Sequence, residues 1–323
     1  MLYSWDATDP GTGAVGATIT TKTGATATQC NVARPDGSNP GSIIPTLLST
    51  PDTYMGSTGY CIDYIRAARP RASTDVACAS GGYCFVAMAK DAVTWATDAT
   101  THAPSNLTTA QLSSIYTCTV TNWSQVGGTA STIQPFLPQT RSDLRSTFLS
   151  MLGVTTPGAC VSDLASGAHP NGWLQDNEGT NPSLMNNPNA IVPYSVADYL
   201  TQRYRSPTCS PAGCDQGRSA NCLPPGLGQV NYGCDVRGQL VLRKVNSISP
   251  TVGTGAAQTI NPAFPYLYTV SNSVSYATAG NHIPAYLNPI FGPAGWICTS
   301  TAAQTSITTN YGFLHDPSCG TLF

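Results

Sequence analysis

Hydrophobic and polar positions change rhythm several times along this chain. Cys84–Ala89 is a short apolar run that reads as a buried strand, followed by a second apolar stretch at Asp91–Trp95. A helical period comes next. Thr108 is an N-cap, and Leu112, Ile115 and Tyr116 recur at the three- and four-residue spacing that gathers them on one face. Asn122–Gly128 reads as a turn and Ile133–Leu137 as a strand, while Thr140–Gly153 reads as a loop and then a helix ended by Gly153. Asn189–Ser195 reads as a strand and Val196–Tyr204 as a helix, with further ordered segments at Tyr266–Val270 and Trp296–Thr299. Nearer the start, a weak strand is expected at Ala17–Thr21 and another at Tyr60–Ile65. Between them, the loop Gly37–Ser42 feeds a helix over Ile43, Ile44, Leu47 and Leu48. No internal repeat is present. Strands alternating with helices argue for an α/β fold built around largely parallel sheet.

Composition adds a compartment. The 323 residues include twelve cysteines but only three lysines and one glutamate. Cysteine at that density points to disulfides and an oxidising environment outside the cytoplasm. Metal binding is disfavoured, because no C-x-x-C pair recurs and His102, His169, His282 and His315 are far apart. The order of the cysteines suggests local pairs: Cys30–Cys61, Cys78–Cys84, Cys118–Cys160, Cys209–Cys214, Cys222–Cys234 and Cys298–Cys319. In the Pro- and Gly-rich stretch 205–238, which reads as a stapled loop, Cys209–Cys222 with Cys214–Cys234 is the alternative. Charged residues are 9% of the chain and the net charge is -2, which gives no drive toward nucleic acid or an anionic membrane. No apolar run approaches the roughly 20 residues that span a bilayer. Met1 is followed by a polar, turn-rich stretch, Ser4–Gly16, rather than a signal peptide, so a mature or trimmed form of a secreted or cell-surface protein is expected.

Two ordered blocks carry a resemblance. The first is Asn106-Leu107-Thr108-Thr109-Ala110-Gln111-Leu112-Ser113-Ser114-Ile115-Tyr116, continued by Val120-Thr121-Asn122-Trp123-Ser124-Gln125-Val126-Gly127-Gly128. The second is Asn177-Glu178-Gly179 with Pro188-Asn189-Ala190-Ile191-Val192-Pro193-Tyr194. Together they resemble the second lobe of the phosphate-binding protein family, the extracytoplasmic receptors of phosphate ABC transporters. The Cys-rich form resembles its secreted actinobacterial branch, through Ala33–Ser38, Cys61–Tyr64 and Lys90–Trp95. The likeness covers roughly residues 3–204, and Ile290–Gly292, Gly295–Cys298 and Tyr311–Phe313 match more loosely. It implies a two-lobed, type II periplasmic-binding-protein-like α/β fold, with mixed sheets flanked by helices. Lobe 1 would comprise residues 1–88 plus 238–323, lacking the family's first strand and helix; lobe 2 would comprise residues 89–237. Crossover strands would lie near Met88 and after Cys234, and ligand would sit between the lobes.

The resemblance also implies a site. Such receptors grip phosphate with loops at helix N-termini, where free N–H groups and the helix dipole favour an anion. The first such loop would lie upstream of Leu2. The second is present as Gly37-Ser38-Asn39-Pro40-Gly41. In the third, the usual aspartate falls at Ala68, flanked by Arg66 and Arg69. The fourth is Thr140-Arg141-Ser142-Asp143-Leu144-Arg145, in which Asp143 replaces a glycine and Leu144 a threonine. The family's upstream arginine falls at Pro138, leaving Arg141 as the near substitute. The implied function is a non-enzymatic, cofactor-free extracellular receptor that captures a small oxyanion with Ser38, Arg69, Arg141 and Ser142 and works with an ABC permease. The alternative, motivated by Asp143 and the missing first strand, is a surface structural or adhesive subunit that self-assembles and keeps a degenerate site. Nothing points to an enzyme: no nucleophile elbow, P-loop or His-Glu-x-x-His occurs. Glu178, in Asn177-Glu178-Gly179, reads as part of a turn or an interlobe contact, and Asn106 and Asn122 as turn residues despite their sequons.

Overall fold

The computed structural model describes residues 64–67, 83–138, 142–163, 174, 176–204, 235–275, 283 and 285–323, together with the backbone of two strands nearer the start. In chain order the strands are β1 (Thr18–Thr20), β2 (Asn31–Ala33), β3 (Ile65–Ala67), β4 (Tyr83–Asp98), β5 (Asn106–Leu107), β6 (Gln134–Pro135) and β7 (Ala190–Ser195). They continue as β8 (Leu240–Leu242), β9 (Lys244–Val245), β10 (Thr251–Val252), β11 (Thr259–Ile260), β12 (Leu267–Ser275) and β13 (Leu314–His315). The helices are α1 (Thr109–Tyr116), α2 (Asp143–Leu152), α3 (Val196–Tyr204), α4 (Asn288–Phe291), α5 (Trp296–Thr299) and α6 (Thr301–Thr305). The chain forms two compact units. One holds residues 1–88, 270–304 and 316–323, the other residues 89–269 and 305–315. Strands β4 and β12 each begin in one unit and end in the other.

The second unit contains most of the described structure. Its part of β4 is buried at every residue from Asp91 to Asp98, as expected of a strand covered on both faces. That strand pairs antiparallel with β7 through Val93↔Ser195 to Ala96↔Val192, and with β8 through Ala96↔Leu242 to Asp98↔Leu240. β13 is also antiparallel to β4, whereas β6–β7 and β5–β9 are parallel. The expectation of largely parallel sheet is therefore corrected: antiparallel pairs prevail among the described residues, because β7, β8 and β13 all return against the one long strand. The two apolar runs expected around Lys90 are a single strand, since Lys90 and Asp91 keep the extended register. The core gathers Ala96, Phe136, Leu174, Leu184, Val192, Tyr194, Tyr199 and Leu240.

Local chemistry explains the motif-bearing segments. Thr108 caps α1: its hydroxyl accepts from the Gln111 N–H at 3.2 Å, and the Gln111 side chain accepts from the Thr108 N–H at 2.8 Å. The buried face is Leu112, Ile115 and Tyr116, as the period requires. The Tyr116 ring meets Phe148 of α2 edge-on at 5.1 Å. The Asn-Trp segment forms a 3₁₀ turn over Trp123–Val126, capped by Asn122 and Gln125. Two glycines are needed after it. Gly127 has φ +90°, and a Cβ on Gly128 would lie 2.3 Å from the His102 carbonyl oxygen. Gly153 ends α2 in the left-handed region at φ +67°, as its position predicts.

In the other unit, the first half of β4 carries Cys84 and Val86 into a core with Val274, Ile283, Leu287 and Phe291. The C-terminal tail runs beside it, with the Ala87 N–H bonded to the Thr321 carbonyl at 2.9 Å and the Phe323 N–H to the Phe85 carbonyl at 3.0 Å. β3 pairs antiparallel with β12 through Ser271↔Ala67 to Ser273↔Ile65. The expected bridges Cys118–Cys160 and Cys298–Cys319 are both formed. Cys84 is also disulfide-bonded. Cys30, Cys61, Cys78, Cys209, Cys214, Cys222 and Cys234 lie outside the described residues.

Candidate functional site

Two helix starts in the second unit are built from chemically specific residues. At the first, Ser142 precedes α2 with extended backbone, and its hydroxyl oxygen accepts from the Arg145 N–H at 2.9 Å. That bond uses the oxygen as acceptor and leaves the hydroxyl proton able to donate. Ser142 is only 3% exposed. Asp143 stands in the first turn, where a carboxylate complements the helix dipole and competes with an incoming anion. Arg145 turns elsewhere: its guanidinium donates to the Pro138 carbonyl at 2.8 Å and pairs with Asp163 at 2.9 Å. Leu144, in place of a hydroxyl residue, is buried in the core.

The second helix start is met by a buried carboxyl group. Asp91, in β4, is 3% exposed. One carboxylate oxygen accepts from the Ala197 N–H at 2.9 Å, in the first turn of α3, and from the Ala92 N–H at 2.6 Å. The other accepts from the Ser195 hydroxyl at 2.6 Å and the Tyr268 hydroxyl at 2.8 Å. Burial pushes the Asp91 carboxyl above its usual range, against the pull of these four donors. Burial, reinforced by the Asp91 charge, likewise lifts the Tyr268 phenol well above its ordinary value. Asp91 thus ties β4, β7, α3 and β12 together close to the points where β4 and β12 change units.

The Asn177-Glu178-Gly179 segment buttresses the same junction. Asn177, at φ +57°, accepts from the Ser195 N–H at 3.0 Å, and its amide donates to Asp198. The Tyr194 hydroxyl donates to the Asn177 carbonyl at 2.5 Å. Glu178 is buried, and a Cβ on Gly179 would lie 2.0 Å from the Arg237 carbonyl oxygen.

Of the four residues expected to grip an anion, only Ser142 falls among the described residues; Ser38, Arg69 and Arg141 lie outside them. Arg66, which flanks the third loop, reaches the Met88 sulfur at 3.6 Å. Among the described residues no group of three His, Cys, Asp or Glu side chains is placed to hold a metal, and no helix is long and apolar enough to cross a membrane. Asp91, Ser195 and Tyr268 were missed in the sequence as a cluster. The available signal was an aspartate inside an otherwise apolar run, which a buried strand accepts only with partners.

Comparison with known proteins agrees with the motifs. Residues 20–209 match the family model described as the PBP superfamily domain. No curated protein matches the chain. Among solved structures, an ABC-type phosphate transport receptor from Vibrio cholerae shares 14% identity over 79% of this chain and 81% of its own, with a TM-score of 0.48. A putative phosphate ABC transporter substrate-binding protein from Clostridium perfringens shares 13% identity over 72% of each chain, with a TM-score of 0.41. A possible phosphate binding protein from Planctomyces limnophilus shares 14% identity over 80% and 77%, with a TM-score of 0.42.

Proposed function

Because the chain belongs to the PBP superfamily, we propose that it is an extracellular solute-binding protein that captures a small oxyanion between two lobes. The match over residues 20–209 carries this reading, since it contains the motif-bearing segments Asn106–Gly128 and Asn177–Tyr194. Ser142 donates its hydroxyl proton to the anion at the start of α2, while Ser38, Arg69 and Arg141 supply the remaining donors and the positive charge. Asp143 makes the site selective: a monoanion is tolerated beside that carboxylate better than a dianion. The protein holds its ligand without converting it, is exported to an oxidising compartment where its disulfides persist, and hands the ligand to an ABC permease.

Equilibrium dialysis of the intact chain against radiolabelled phosphate tests the proposal, with sulfate and chloride as competitors. Saturable retention, displaced by excess unlabelled phosphate and not by chloride, is the expected result. Retention no greater than that of a control protein at millimolar phosphate would overturn it.

A further inference from the structure

Arg145, in the first turn of α2, bonds to both residues that flank the segment 139–141. Its backbone N–H donates to the Ser142 hydroxyl oxygen at 2.9 Å, and its guanidinium Nη1 donates to the Pro138 carbonyl at 2.8 Å. The same Nη1 pairs with the Asp163 carboxylate at 2.9 Å. The two side chains are 13% and 24% exposed, so this ion pair is sheltered, and removing one partner would strand the other's charge.

Asp163 is anchored in its turn. Its neighbour Ser162 forms a parallel bridge with Phe136. There the Ser162 N–H donates to the Pro135 carbonyl at 3.0 Å, and the Leu137 N–H donates to the Ser162 carbonyl at 2.9 Å. The Asp163 carbonyl accepts from the Leu174 N–H at 2.8 Å. Three residues earlier, Cys160 is joined covalently to Cys118, just past the end of α1. The carboxylate that holds Arg145 therefore stands on a segment tied to the strand before the loop and to α1.

The pairing decides which role Arg145 takes. An oxyanion that approached its guanidinium would meet a carboxylate already bonded there, and like charges repel. The charge of Arg145 is spent inside the protein. What it gives the site is order, because a loop held in place before the ligand arrives costs less to immobilise on binding. We propose that Arg145 is a positioning residue for the oxyanion: clasped by Asp163, it fixes Pro138 and Ser142 at the two ends of 139–141, so that the Ser142 hydroxyl meets the ion in one orientation. This rests on the reading that an oxyanion binds at the start of α2.

The test is a double-mutant cycle on the intact, disulfide-bonded chain, read by calorimetric titration of inorganic phosphate. Arg145→Ala should weaken binding about tenfold, equivalent to roughly 1.4 kcal/mol. Asp163→Ala should weaken it by a similar factor, and the double variant should lose no more than either single one, because the pair acts as a unit. Thr108→Ala, which lowers stability at the distant start of α1, should leave affinity unchanged. A direct contact between Arg145 and the ion predicts the opposite sign for Asp163→Ala, since that change frees the guanidinium; tighter binding there overturns the proposal. So does native affinity in both single variants, which would leave the pair a role in stability alone. Hydrogen exchange reads the loop without ligand. The amides of residues 145 and 146, both bonded to Ser142, should exchange about tenfold faster in Arg145→Ala, while those of α1 do not change. Unchanged exchange at 145 and 146 overturns the positioning role whether or not phosphate binds, whereas a native chain that binds no phosphate overturns the oxyanion reading itself.

Discussion

The Asp91 carboxyl group joins β4, β7, α3 and β12. Truncation to alanine strips acceptors from the Ala197 N–H and from two hydroxyls, so Asp91→Ala should cost about 2–4 kcal/mol in urea denaturation. Asp91→Asn keeps the shape and one acceptor, and should cost less. The pH dependence has a definite sign. Burial raises the folded-state value, so the stability contributed by Asp91 is complete below the ordinary aspartate range and fades as pH climbs through the raised value. The advantage of the native chain over Asp91→Asn should therefore shrink from acidic toward neutral pH in parallel denaturation series. Ser142 makes a different prediction. Ser142→Ala removes the cap of α2 at a cost of about 1 kcal/mol, measured by thermal melting. If its hydroxyl also serves the anion, the same variant loses phosphate affinity beyond what its stability change explains, and Ser142→Thr restores it.

At the scale of elements, α1 offers the cleanest test of how local sequence sets structure. Both halves of its capping box are exposed, so Thr108→Ala should lower stability by about 1 kcal/mol without disturbing the core. Chemical denaturation reads that directly. The legible elements were those with strong local signals: the cap and apolar stripe of α1, the glycine stop of α2, and the helix Val196–Tyr204 after a fully buried strand. Strand direction was not legible, because an apolar run such as Cys84–Trp95 is compatible with buried parallel or antiparallel pairing. β8 to β11 were missed for a related reason. Each is only two or three residues long, too short for a period of two to register. The candidate site was partly legible, in that Ser142 emerged from a motif, while the Asp91 cluster unites residues from three widely separated parts of the chain, around Asp91, Ser195–Ala197 and Tyr268.

The whole molecule is α/β, as its motifs implied, and its family membership bears out the resemblance those motifs carry. Covalent bridges contribute to its stability. Cys118–Cys160 and Cys298–Cys319 close chain separations of 42 and 21 residues, and loops of that size correspond to roughly 3–4 kcal/mol each on a chain-entropy account. Reduction under mild denaturant should lower the melting temperature markedly, and Cys118→Ser with Cys160→Ser should reproduce part of that loss without reductant. The central claim, however, concerns ligand. Calorimetric titration of inorganic phosphate into the intact, oxidised chain tests it most directly. The account predicts a saturable heat with one ion bound per chain; a titration indistinguishable from dilution, carried to millimolar phosphate, would contradict it.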